Sequence, residues 1–88
     1  MTPEEVLAGA ADLIEQGGWC QGAWDGPNGE HCLHGAVITY LNDLEAYLQA
    51  WAAVSQETAP HHPLAFNDCI CTSKEEAVAI LRNAKRWL

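Results

Sequence analysis

The sequence predicts a mainly α-helical fold, a compact bundle of about four helices joined by two irregular loops. Three observations carry this. Two segments open on a helix-starting pattern in which a hydroxyl residue precedes a glutamate by three positions: Thr2-Pro3-Glu4-Glu5 and Ser73-Lys74-Glu75-Glu76. Apolar residues recur at spacings of three and four after each of them. No segment sustains the alternation of a half-buried strand, although 64–71 leaves room for a short β element.

The first helix starts at Thr2, with Pro3 at the position where a missing N–H costs nothing. Val6, Leu7, Ala10, Leu13 and Ile14 form its apolar stripe, and Gly17-Gly18 ends it. Residues 18–31 are irregular and carry Trp19, Trp24 and the turn formers Asp25 to Gly29. A second helix is expected from Cys32, with Cys32, Leu33, Ala36, Val37, Tyr40 and Leu41 in one stripe; His34 lies off that stripe and is expected at the surface. A third, over about 43–56, is expected to turn Leu44, Tyr47, Leu48, Trp51 and Ser55 inward. In residues 57–72, Pro60 and Pro63 bracket His61-His62 and argue against a regular helix. The last helix places Ala77, Val78, Leu81, Ala84 and Leu88 on its apolar stripe, with Arg82, Lys85 and Arg86 at the negative end of its dipole.

Length and composition suit a single small helical domain spanning 1–88. The formal net charge is −8, and all four basic residues, Lys74, Arg82, Lys85 and Arg86, fall at the C-terminal end. Residues 1–73 hold acids but no Lys or Arg to neutralise phosphates, which argues against nucleic-acid binding and for a partner with a basic surface. No apolar run reaches the roughly 20 residues that span a bilayer. The start Met-Thr-Pro-Glu-Glu lacks the features of a signal peptide, so the chain is expected in the cytoplasm with its thiols reduced.

His31-Cys32-Leu33-His34 draws attention first. A thiol nucleophile is one reading: Cys32 at a helix N-terminus would have a lowered pKa, His61 or His62 would be the base, and Asp68 or Asn67 would orient it. No strong strand is present to hold such a base, and Cys32 is equally a small apolar side chain on a helix stripe. A zinc site from Cys20, Cys32, Cys69 and Cys71 would need both loops to meet, and Cys69-x-Cys71 is tighter than the usual knuckle; no metal or other cofactor is expected. Asn67-Asp68 is expected to bond backbone amides two residues on and fix its own loop.

Trp19-x-x-Gly22, then Cys32-Leu33-x-Gly35-Ala36, then Phe66-Asn67-Asp68 and a capped final helix make a layout that covers about residues 6–84. It resembles a family of small uncharacterised proteins found in actinobacteria and their phages, with a W-x-x-G … C-L-x-G-A … W-N-D pattern. Trp19, Gly22, Cys32, Gly35, Ala36, Asn67 and Asp68 match it, while Phe66 stands where tryptophan is more usual and the turn Asp25 to Gly29 is short. Cys20, Cys69 and Cys71 lie outside the pattern. The resemblance implies a layout and no reaction. The small pair Gly35-Ala36 permits close approach to the second helix, with Trp19 the candidate to pack there.

Together these readings predict a non-enzymatic accessory protein, phage-encoded and acting as a regulator or inhibitor by binding a host protein. Trp19 and Trp24 would be the contact residues, since aromatic side chains dominate interface hot spots. The rival is a Cys-dependent hydrolase using Cys32 with a loop histidine.

Overall fold

Helix α1 (Pro3–Gly17) begins at the expected capping box. Thr2 Oγ1 accepts from Glu5 N–H at 3.2 Å, and Glu5 Oε1 accepts from Thr2 N–H at 2.8 Å. Gly18 ends it at φ +102°, a conformation that side chains resist, and its N–H returns to the Ile14 carbonyl. The computed structural model describes residues 1–88, and in it the inward face of α1 is Val6, Leu7, Ala10, Ala11 and Ile14.

Helix α2 (Leu33–Ile38) is shorter than its apolar stripe suggests. Past Ile38 the chain tightens: Tyr40 N–H bonds the Val37 carbonyl and Leu41 N–H the Ile38 carbonyl, three residues back instead of four. Each such step turns the chain further than an α-helical step does. Leu41 therefore leaves the inward face and stands exposed.

Helix α3 (Leu44–Thr58) is in the expected place but rotated. Its buried residues are Ala46, Tyr47, Ala50, Ala53, Val54 and Thr58, while Leu44 and Leu48 face out at 56% and 54% exposure. Three alanines on the inward face let α3 lie close against α1 and against the end of the chain. Both faces of α3 are apolar in sequence, and packing favoured the smaller one.

Residues 57–72 are where the structure departs most from expectation. His61 and His62, between the two prolines, stay out of a helix as expected, and Pro63 then starts one. It occupies the first position of α4 (Pro63–Ala65), which His62 caps by accepting Leu64 N–H at its Nδ1 (3.2 Å). The turn then widens into a π-helical segment, Phe66–Ile70, closed by Cys71 N–H on the Phe66 carbonyl. There is no extended piece at 64–71, and no strand anywhere: the only β-type pairings are isolated bridges of His31 with Trp19 and with Asp25.

Helix α5 (Lys74–Asn83) is capped by Ser73, whose Oγ accepts Glu76 N–H at 3.1 Å. Glu76 does not complete the box at Ser73; its carboxylate takes the Thr72 hydroxyl instead, at 2.9 Å. A 3-10 turn, Ala84–Trp87, finishes the chain, and Leu88 is exposed rather than part of the stripe. Arg82 bonds Asp12 and Glu15 of α1, and Arg86 and Trp87 both bond Glu57 of α3. The buried apolar side chains form one cluster, with α1 between α5 and α3. No helix is long and apolar enough to cross a membrane.

Candidate functional site

The two irregular segments meet, and Asn67 joins them. The π-helical turn directs its side chain fully inward. Its Oδ1 accepts the Trp19 indole N–H at 2.8 Å and Leu33 N–H at 3.0 Å. Its Nδ2 donates to the Cys20 carbonyl at 3.1 Å and to Asp68 Oδ1 at 2.8 Å. A carboxamide has two donors and two acceptor positions, and here all are used. Asp68 Oδ1 also accepts Gly22 N–H at 3.0 Å. The expectation that Asn67-Asp68 fix their own loop is therefore corrected: both side chains reach across to the first loop. Gln21 returns the bond, its Nε2 lying 3.1–3.2 Å from the carbonyls of Asn67, Asp68 and Cys71. Nothing in the local sequence marks Gln21.

The start of α2 is built on this joint. Cys32 is its N-cap: the Sγ accepts Gly35 N–H at 3.3 Å, and Cys32 N–H donates to the Trp24 carbonyl at 2.9 Å. That carbonyl lies directly over Gly35, so closely that a Cβ there would collide with it. The close approach expected at Gly35-Ala36 is real, but its partner is the Trp24 backbone and not the Trp19 ring. Trp19 packs against the core from a half-buried position with its N–H committed to Asn67.

Cys32 is 1% exposed, and burial pushes its thiol up despite the amides of Gly35 and His34 that pull it down. The desolvation of a thiolate outweighs a helix terminus of so few turns. Of its expected partners, His62 Nδ1 is occupied as a helix cap and His61 lies against Phe66, ring centres 6.3 Å apart. Neither histidine bonds the thiol, and Asp68 is engaged with Gly22 and Asn67. Cys32 borders a shallow cleft of about 120 Å³ with Gly22, Ala23, Trp24, Leu64 and Asp68, smaller than the roughly 300 Å³ of a typical small-molecule site. The four cysteines are unpaired; Cys32 and Cys71 are buried and Cys69 is exposed. Cys20 and Cys71 are both pushed up by burial, and each points its sulfur at a backbone carbonyl. No group of three or more His, Cys, Asp or Glu side chains is arranged to hold a metal ion.

His34, expected at the surface, is buried at 8% exposure. Its Nε2 pairs with the Tyr47 hydroxyl at 2.9 Å and its Nδ1 has no partner. Trp24 meets its ring edge-on and Trp51 lies tilted against it, both with centres 4.6 Å away. Burial lowers its pKa, and the neighbouring His62 lowers it further. Trp24 thus rests on His34 yet remains 51% exposed. On α3, Leu44 and Leu48 are the exposed large apolar residues.

A family model described as "Family of unknown function (DUF6197)" matches residues 1–86. Comparison with curated proteins and with solved structures finds no match.

Proposed function

The chain belongs to that family of unknown function, and we propose that it is a non-enzymatic accessory protein that binds a protein partner through Trp24. One observation carries this reading: an indole half open to solvent is held rigidly from beneath. The Trp24 carbonyl is held by Cys32 N–H and its ring by a T-shaped contact with His34. An aromatic side chain ordered before binding loses little further freedom on contact, which is the condition for a hot spot. Trp19 supports the loop from the inside through Asn67 and leaves the contact to Trp24. The acidic surface, −8 overall, favours a partner presenting basic residues. The setting of this reading is the cytoplasm of an actinobacterial host, with the protein supplied by the host or by a phage as a regulator or inhibitor.

The test uses the purified protein and its Trp24→Ser variant as baits in host lysate. A protein retained by the first and lost by the second, with equal far-UV circular dichroism, is the expected result. If no protein is retained and a small molecule co-purifies, the reading is wrong.

A further inference from the structure

Helix α3 turns three alanines with Tyr47 and Val54 to the core and two leucines to solvent. Ala46, Ala50 and Ala53 face α1 and the chain end, while Leu44 and Leu48 are more than half exposed. With Trp51 they fall at spacings of four and three, the seam of a heptad, and Leu41 precedes them by three. The row does not stop at Trp51. That ring touches the buried His34, and the exposed Trp24 packs on the same histidine, so the end of the row and the indole share one support. Leu44 to Trp51 alone covers about 10 Å of helix.

The side-chain charges around this row are acidic, and the one cation beside it is the N-terminal ammonium. Glu45 flanks it on α3, exposed and touched only by Gln49 Nε2 at 3.4 Å, and Asp25 lies next to Trp24 in sequence, largely exposed with one oxygen on His31 Nδ1 at 2.6 Å. Asp43 is already occupied by the N-terminal ammonium at 2.9 Å. No Lys or Arg precedes residue 74, and Arg82 and Arg86 are tied to Asp12, Glu15 and Glu57 elsewhere. A second copy seated here would bring acid against acid between two chains of charge −8. A helix with apolar residues in heptad spacing and basic residues at its flanks meets both the seam and its rim.

We propose that the row Leu44–Leu48–Trp51, ending on Trp24, docks an amphipathic helix with basic flanks from the partner protein. The proposal rests on the protein-binding reading above and specifies the partner's contact element.

The experiment measures fluorescence anisotropy of a labelled synthetic helix with leucine at its heptad seam and lysine at its flanking positions, against a twin with glutamate at every lysine. The full chain binds the lysine peptide and not the twin, and Leu44→Ser/Leu48→Ser weakens binding at least tenfold. Sedimentation shows the chain alone as a monomer. Circular dichroism and melting check the double variant; if it does not fold, Leu48→Lys serves in its place, with the same loss expected. Equal binding by the variant, equal binding of the twin, no binding of either peptide, or a dimer that the variant dissociates would each overturn the proposal. If the lysate partner is lost with Trp24→Ser yet retained by Leu44→Ser/Leu48→Ser, protein binding stands and this docking mode falls.

Discussion

Trp19 donates its indole N–H to the Asn67 carboxamide at 2.8 Å across 48 positions of sequence. The same oxygen takes Leu33 N–H, so a single buried atom fixes the first loop, the start of α2 and the π-helical turn relative to one another. Asn67→Ala leaves the Trp19 N–H, the Leu33 N–H and the Cys20 carbonyl without their partner. Orphaned buried polar groups are costly, and the variant is expected to lose about 2–4 kcal/mol of stability. For a chain of this size that lowers the melting temperature by about 10–25 °C. Thermal and urea unfolding measure it, and a loss below about 0.5 kcal/mol, the usual range for surface substitutions, would show that the joint is dispensable.

Gly35 gives a prediction whose sign is informative. In an ordinary helix Gly→Ala stabilises by about 1 kcal/mol. Here the added Cβ meets the Trp24 carbonyl, which Cys32 N–H holds in place. Gly35→Ala is expected to destabilise by about 1–3 kcal/mol, the range for overpacking against groups that cannot move aside. A rise in melting temperature would mean that the Trp24 loop yields and is not held rigidly on α2.

What was legible in the sequence was local. Thr2 and Glu5 satisfy each other within one turn, so a short window contains the whole signal for the start of α1. The rotation of α3 was not legible, because Ala46-Ala50-Ala53 and Leu44-Leu48-Trp51 are both apolar rows and only the packing distance to α1 chooses between them. Pro60 and Pro63 keep His61-His62 out of a helix, as their spacing predicts, but the pattern does not show that Pro63 itself opens the next turn, since proline opposes a helix through the residues before it and fits its first position. Asn67 was visible as an unusual residue but not as a joint, since its partners lie at Trp19, Cys20 and Leu33 and no local pattern encodes them. The apolar stripe of α2 taken alone puts His34 outside, but its neighbours Tyr47 and Trp51 come from α3.

His34 makes stability depend on pH. Burial holds its folded-state pKa below the unfolded value of about 6.5. The unfolded chain therefore binds the proton first on acidification. The stabilising contribution is complete above the unfolded pKa and is lost as pH falls through the folded one. Nothing nearby offsets a proton on this ring: the Tyr47 hydroxyl, Trp24 and Trp51 are uncharged, and His62 opposes it. The carboxylates held below their usual range, Glu5, Glu30 and Asp43, lose their contribution only at more acidic pH. Urea unfolding between pH 7.5 and 5 should therefore show a fall in stability that His34→Gln, which retains a hydrogen-bonding group toward Tyr47, largely removes. Equal slopes for the two proteins would assign the effect to another group.

Cys32 separates a capped helix start from an open thiol. It is buried, and burial pushes its pKa up by more than the Gly35 N–H on its sulfur pulls it down, which opposes the thiolate that reacts with alkylating agents. Cys69 is exposed and should react first with iodoacetamide at pH 7. Cys71, buried with its sulfur on the Ser73 carbonyl, should share the protection of Cys32. Peptide mass spectrometry after timed labelling reads each site separately, and Asn67→Ala supplies an internal control: loosening the joint should speed modification of Cys32 relative to Cys69. If Cys32 in the native chain instead outpaces Cys69 at pH 6–7, the cleft beside Trp24 opens onto an activated thiol, and the packing role assigned to this residue gives way to a chemical one.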